Sequence, residues 1–330
     1  MATPELSLII PAMNAAPYLS TLFTSLQLQG DMSKVQVIFI NDGSSDETPQ
    51  ILEEYGPQFP HFEVITNETN VGLSQGRNQG IDRAQGQYIT FLDGDDWIAK
   101  NHLPTILEAA QSLDVDFLRF DHTQVRGNKR VFRRAPMSVR NRPLNPRYGI
   151  LPVHDSTMVD YPNAWSGIFH RRLKDSGLLY FLKELHTAED REWTWRLHLN
   201  ADSFAVVDAP GVLYRRDVAG SLTQIVDERQ LMFTDCFAAI FRNVAADREA
   251  DKWWQKAVCN FFAILQFQVD RLAVEAPEMM KKLYARSREV CAMAPKEILL
   301  REFAISKPAR QRAVLPALGH TADALKELIK

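Results

Sequence analysis

The sequence is short of cysteine: Cys236, Cys259 and Cys291 are the only three in 330 residues, an odd number without Cys-x-x-Cys spacing. That pattern indicates neither a disulfide framework nor a zinc site, and a reducing cytoplasm fits it best. Long hydrophobic runs are lacking as well. No segment approaches the ~20 apolar residues of a membrane-spanning helix. The opening MATPELSLIIPAMN carries an acid where a signal peptide has a basic flank, and it reaches Pro11 after a short apolar run. Any membrane contact is therefore expected from the side. Neither charge is in excess, with 38 basic and 41 acidic side chains and a formal net charge of −3, so no global field attracts nucleic acid. The glycines do not fall in the G-x-G-x-x-G pattern of dinucleotide sites or in the G-x-x-x-x-G-K-[ST] of phosphate loops, which removes those readings. Internal repeats and low-complexity tracts are absent.

What remains is an ordinary globular composition of 45% hydrophobic, 24% charged and 10% aromatic residues, which excludes disordered and fibrous classes. The length exceeds one usual domain, so two unequal lobes are expected. From Leu6 to about Trp97, β-branched runs alternate with helical stretches: LSLII, then Tyr18 to Leu28; VQVIFI, then Thr48 to Tyr55; FEVIT, then Ser74 to Ala84; and YITFL. This spacing predicts βαβ units and a parallel sheet, with strands covered on both faces. Each run ends in polar residues, and in open α/β sheets the ligand lies beyond the carboxyl ends of the strands. A helix over Leu103 to Ser112 and a strand at VDFLRF follow, then Arg126 to Arg147, which holds eight basic residues and no acid. That segment reads as a solvated hairpin or as a wall facing an anionic ligand. The segments AEDREWTWRLHL, FAVVD and VLYRR read as a helix and two strands. From about Leu231 the period becomes helical, and a boundary is placed near Thr223 to Glu228.

Four segments carry chemistry. In FLDGDDW, Asp93, Asp95 and Asp96 follow a buried strand; carboxylates that close repel, and a hard divalent ion would remove the cost. In INDGSSDET, Asp42 can accept from a base imide, Gly43 allows a tight turn, and Ser45 or Asp46 can cap the next helix. In NVGLSQGRNQGI, Gly72, Gly76 and Gly80 suit a close-packed helix face, and Arg77 is the cation able to reach a diphosphate. In HTAEDREW, Glu189 and Asp190 open a helix, where the dipole favours acids; a carboxylate facing a sugar can also serve as general base.

In this order and spacing the motifs resemble glycosyltransferase family 2, the inverting, nucleotide-sugar-dependent enzymes of GT-A fold. The quoted residues are PAMN, NDGSSD, NVGLSQGRN and DGDD followed by Trp97, then AWSGIFHRR, AED and VLYRRDVAGSLT, together covering roughly residues 5 to 225. The sequence departs from the family pattern at Met13, where Tyr is usual, at Ser166, where Asn is frequent, and after Arg216, where Asp217 and Val218 stand instead of a His. The resemblance implies an α/β GT-A fold with a Rossmann-like, mostly parallel central sheet flanked by helices, as a catalytic domain over 1–226, and an all-helical region over 227–330. It implies that Asp42 contacts a uracil-like base with Pro11 and Asn14 lining the pocket, and that Asn70, Gly72, Arg77 and Gly94 complete the nucleotide-sugar site. Asp93 would touch the ribose or the metal, and Asp95 would be the principal ligand of Mn2+ or Mg2+. Asp190 would deprotonate the acceptor hydroxyl, with Glu189 orienting it. Trp97, Trp165 and Arg216 would lie on the acceptor side.

The expected function is metal-dependent, inverting transfer of a sugar from a nucleotide-diphosphate sugar, taken as a UDP-sugar, to a saccharide or lipid-linked acceptor in surface polysaccharide synthesis. A non-catalytic, nucleotide-sugar-binding regulatory subunit is the alternative. A nucleotidyltransferase would need a cation-bearing loop after the first strand, and PAMNAAPYL has none. In the tail, WWQKAVCNFFAILQFQVDRL must bury a wide apolar face against the catalytic lobe, a second copy or a lipid surface. Lys281, Lys282, Arg286 and Arg288 form a basic face that could meet anionic headgroups or stay solvated.

Overall fold

The computed structural model describes residues 3–216, Val218 and 226–319. Asp217, the Gly220 to Thr223 end of the late motif and the first part of the expected boundary lie outside the described residues. The chain forms two compact units. One gathers Met1–Gly149, Tyr161–Glu184 and Asn200–Ala219; the other gathers Ile150–Asp160, Leu185–Leu199 and the chain from Gly220 on.

The first unit is a sheet with helices. Strands β1 (Leu6–Ala12), β2 (Val35–Asp42), β3 (His61–Asn67) and β4 (Tyr88–Phe91) alternate with helices α1 (Ala16–Gln27), α2 (Thr48–Tyr55) and α3 (Leu73–Arg83). After β5 (Trp97–Ile98) and α4 (His102–Leu113) come β6 (Phe117–Arg126), β7 (Lys129–Arg133), β8 (Gly167–His170), the short α5 (Arg172–Asp175) and, beyond the segment given to the second unit, β9 (Phe204–Arg215). The strand order is β3-β2-β1-β4-β8-β6-β9-β5, with β7 paired to β6. The pairs β1–β2, β2–β3, β1–β4 and β6–β9 are parallel, and β8 joins the two parallel groups by antiparallel pairing to β4 and β6.

The interior strands are apolar because both faces are covered: every residue of β1 and β2 is buried. β3 departs from that expectation. It is the edge strand, and FEVIT alternates between half-buried and exposed positions, with Val64 39% exposed. Tight packing of α3 follows from its glycines: a Cβ on Gly80 would lie 2.4 Å from Ile9 Cγ2, so only glycine lets the helix settle at that depth. The two strands expected at FAVVD and VLYRR are one strand, β9, of 12 residues. Its continuity survives the Pro210-Gly211 break in the pattern because β6 pairs along both halves, with an irregularity between Phe120 and His122. The basic segment is the hairpin of β6 and β7, whose Lys129, Arg130 and Arg133 are exposed, while Arg140 turns inward to pair with buried Asp121 at 2.9 Å.

The second unit is helical. Its helices are α6 (Glu189–Asn200), α7 (Phe233–Ala246), α8 (Ala250–Glu275), α9 (Met280–Cys291), α10 (Lys296–Ile305) and α11 (Pro308–Val314). α8 is its centre, packing on α7, α9, α10 and α11. At 26 residues it is, by length and composition, able to cross a bilayer, which corrects the expectation that no segment comes near. Half of that stretch is nevertheless buried within the protein, Trp253, Trp254, Phe261, Phe262 and Leu265 among it, as in a core helix. The basic face of α9 is largely engaged: Lys282 pairs with Glu228, Arg286 with Asp235, and Arg288 donates to the Pro316 carbonyl.

Candidate active site

Parallel pairing puts the carboxyl ends of β1, β2, β3 and β4 on one edge of the sheet, and the loops there are tied to each other by side chains. Asp42, at the end of β2, is buried and accepts three bonds: from Asn67 Nδ2 at 2.9 Å, Val71 N–H at 2.9 Å and Gly72 N–H at 3.0 Å. It anchors the loop that leads into α3, whose N-terminus begins after Gly72. Asn14, held at φ +51°, accepts from the Ser45 N–H at 2.8 Å, and its own N–H donates to Ser44 Oγ at 2.9 Å. Gly43 sits at φ +69°, and a Cβ there would fall 2.8 Å from the Asn70 nitrogen, so the loop after β2 closes on residues 69–70 only with glycine. Asp46 bonds the N–H groups of Thr48 at 3.0 Å and Ala16 at 3.1 Å, serving the starts of α2 and α1 together. Asn70 places its amide 2.8 Å from Met13 Sδ, beside the position where the family pattern has Tyr.

The acidic turn follows β4. The Gly94 N–H donates to the Pro11 carbonyl at 3.1 Å, fastening the turn to β1. Arg77, on α3 and only 1% exposed, pairs with Asp93 Oδ1 at 3.0 Å and lies 5.2 Å over the Phe181 ring. It thus faces a carboxylate of the turn. Burial, reinforced by the Asp93 charge, pushes Asp95 up to about 6. Burial and the same neighbours push Asp96 well above the carboxylate range; one of its oxygens accepts the Arg215 N–H at 2.6 Å. Arg215 also donates from Nε to the Asp95 carbonyl at 2.8 Å, and its guanidinium is held between the rings of Trp97, at 4.5 Å, and Tyr18, at 5.1 Å. Arg216, which sequence reasoning assigned to the acceptor side, donates to Tyr214 Oη at 3.1 Å, while sequence reasoning gave Arg215 no part. Arg215 is the last residue of β9, and nothing in VLYRR says that it is the arginine that meets the turn.

Trp165 is buried against His122 and Tyr214, with ring centroids 4.8 and 4.9 Å apart. Ser166 donates to the Phe120 carbonyl at 2.5 Å and meets Tyr161 Oη at 3.0 Å, so this departure from the family pattern is an inward structural contact. Burial lowers His122 to about 4. The pair expected to be catalytic belongs to the helical unit. Glu189 and Asp190 form the first turn of α6 after Ala188, a non-glycine residue at φ +61°. Glu189 is buried and Asp190 half-buried; Glu192, one turn in, pairs with Arg196 at 2.9 Å and accepts from Asn243 at 3.0 Å. The half-buried carboxylates of Asp93 and Asp95 suit a hard divalent cation, because an acid raised by desolvation and by a like charge is what such an ion relieves.

Sheet, acidic turn and tied loops define a glycosyltransferase of GT-A fold. The chain belongs to glycosyltransferase family 2, the "Glycosyl transferase family 2" model matching residues 7–207. It is 28% identical over 225 residues to an uncharacterised glycosyltransferase, EpsJ, of Bacillus subtilis, covering 67% of this chain and 64% of that protein. It is 29% identical over 215 residues to the poly(ribitol-phosphate) β-N-acetylglucosaminyltransferase TarS of Staphylococcus aureus, covering 64% of this chain but 35% of TarS. The chain therefore spans less than two thirds of either relative. Among solved structures, TarS 1–349 in complex with UDP-GlcNAc superposes with TM-score 0.77 at 20% identity, covering 98% of this chain and 92% of that one. The mannosyltransferase PcManGT of Pyrobaculum calidifontis, in complex with GDP-Man and Mn2+, gives 0.53 at 16%, covering 99% and 88%.

Proposed function

We propose that this protein transfers a sugar, with inversion, from a UDP-sugar to a hydroxyl of a saccharide or lipid-linked acceptor on the cytoplasmic side of surface polysaccharide synthesis, and that it needs Mn2+ or Mg2+. The observation that carries this reading is the pair of half-buried carboxylates Asp93 and Asp95 in the acidic turn at the carboxyl end of β4, where desolvation and the Asp93 charge push Asp95 up to about 6. TarS, solved with UDP-GlcNAc, and PcManGT, solved with Mn2+, support it.

Each residue then has a task. Asp42 has used three of its acceptor positions, and one that remains matches the single imide N–H of uracil. Pro11, Asn14, Asn70 and Gly72 frame that end of the site, with Gly94 at the turn. Arg77 holds Asp93 in place, and Arg215 holds the Asp95 peptide by its carbonyl. A divalent ion on Asp93 and Asp95 would supply positive charge to the departing diphosphate. Asp190 takes the proton of the acceptor hydroxyl, whose oxygen bonds the anomeric carbon as the sugar–diphosphate bond breaks and its electron pair leaves with UDP. Glu189 orients that hydroxyl, and Trp97, Trp165 and Arg216 are assigned to the acceptor side.

Calorimetric titration with UDP tests the reading. Binding is expected with Mn2+ and lost in chelator, and Asp95→Ala should abolish the metal dependence. Equal UDP affinity with and without the ion would overturn it.

A further inference from the structure

The helical unit holds a cluster that the transfer reaction does not use. His154 lies in the irregular segment 150–160, Cys259 in the middle of α8, and Glu302 on α10. Their donor atoms all lie within 4.8 Å of one another. Cys259 Sγ is 3.7 Å from His154 Nδ1, and His154 Nδ1 is 3.7 Å from Glu302 Oε1. Atoms bonded to one tetrahedral Zn2+ at ~2.0–2.3 Å stand about 3.3–3.8 Å apart, so the thiol, imidazole and carboxylate already have nearly the separation that a shared ion would impose.

Two further observations point the same way. The Glu302 side chain is 2% exposed, and the polar groups that face it are His154, the Cys259 thiol and the Gln255 amide at 3.4 Å; no lysine or arginine pairs with it among the described residues. A carboxylate buried this deeply is costly unless a cation balances it, and here only a protonated His154 or a bound metal ion can do so. The segment carrying His154 is also held in place from the helix that carries Cys259. Lys256, one turn earlier on α8 and 2% exposed, donates to the carbonyls of Val153 at 3.1 Å and Asp155 at 2.8 Å and pairs with Asp160 at 2.7 Å. The backbone on both sides of His154 is thereby fixed over Cys259.

We propose that His154, Cys259 and Glu302 bind one Zn2+, which staples segment 150–160 to α8 and α10. Sulfur and imidazole nitrogen donors select zinc over Mg2+ or Mn2+, and the half-exposed histidine leaves the fourth position to water. Cys-x-x-Cys spacing could not reveal such a site, since its three ligands come from three separate segments.

Cobalt(II) is the probe, added to the full-length protein after removal of metal under reducing conditions. One equivalent should give a near-ultraviolet thiolate-to-cobalt band that Zn2+ removes and excess Mg2+ does not. The Asp93 and Asp95 turn has no thiol, so the band cannot come from it, and the cysteine variants assign it. Cys259→Ser should lose the band, and Cys236→Ser should keep it. His154→Ala, at an exposed position that the fold tolerates, should bind Zn2+ at least ~10²-fold more weakly, because loss of even an outer partner costs 10- to 100-fold. Absence of the band in the unaltered protein, its survival in Cys259→Ser, or unchanged zinc affinity in His154→Ala would each overturn the proposal.

Discussion

A carboxyl raised to about 6 by burial, as Asp95 is, binds a proton in the folded chain at pH values where the unfolded chain has released it. Its contribution to stability is full below pH ~4 and lost as pH rises through about 6. At neutral pH the ion-free protein therefore carries an unfavourable charge. Asp95→Asn should stabilise it by about 2 kcal/mol at pH 7, with no gain below pH ~4; denaturant unfolding in chelator at the two pH values measures this. Destabilisation at pH 7 would show that the carboxylate is compensated within the protein. Arg215 allows a second comparison at this scale. Arg215→Lys keeps the charge but loses the ring stacking on Trp97 and Tyr18 and the Nε bond to Asp95. It should cost about 1–2 kcal/mol by urea unfolding, whereas Arg216→Lys should stay within ~0.5 kcal/mol. Equal effects would remove the clamp. The sequence pointed to the acidic turn because three aspartates after an apolar run have few structural explanations. It could not point to Arg215, because its contacts with Asp95 and Asp96 join positions about 120 residues apart, nor to Phe181, which reaches Arg77 from 104 positions further along the chain.

At the scale of elements, the helix and strand periods of the first 113 residues were legible because each βα unit closes over a short stretch of chain. β3 was misread in its burial, since whether a strand lies inside or at the edge depends on strand order. Two strands were expected where β9 runs unbroken, because the local Pro210-Gly211 signal is overridden by pairing to β6, more than 80 residues earlier. The start of α6 is the element on which the proposed chemistry turns. Acids there are favoured by the helix dipole whatever their other role, so a substitution must separate the two. Asp190→Asn keeps the size of the side chain and its acceptor oxygen in the first turn of α6 and gives up only its charge, so it should keep UDP affinity and most of the stability while lowering transfer ~10²-fold or more. Transfer at the normal rate by the folded variant would leave Asp190 with a structural part only.

On the scale of the whole molecule, the two units are interleaved along the chain. The helical unit takes in α6, which comes earlier in sequence than β9, so the chain leaves the sheet unit, enters the helical one and returns. Contacts within that unit show the dependence: Cys236 on α7 reaches the Ala188 carbonyl, Asn243 bonds Glu192, and Lys256 on α8 grips segment 150–160. α6 itself carries Trp193 and Trp195, both 0% exposed, and such side chains bury roughly 150–250 Å² each. A chain ending after Glu228 would keep α6 and segment 150–160 but lose α7 to α11, leaving a buried carboxylate without its asparagine and large apolar surfaces without cover. Residues 1–228 are therefore expected to aggregate on expression instead of giving a soluble but inactive enzyme, with light scattering and size-exclusion chromatography as the measurement. A soluble, monomeric fragment that binds UDP would show that the helices after residue 228 are dispensable to the part that holds the nucleotide.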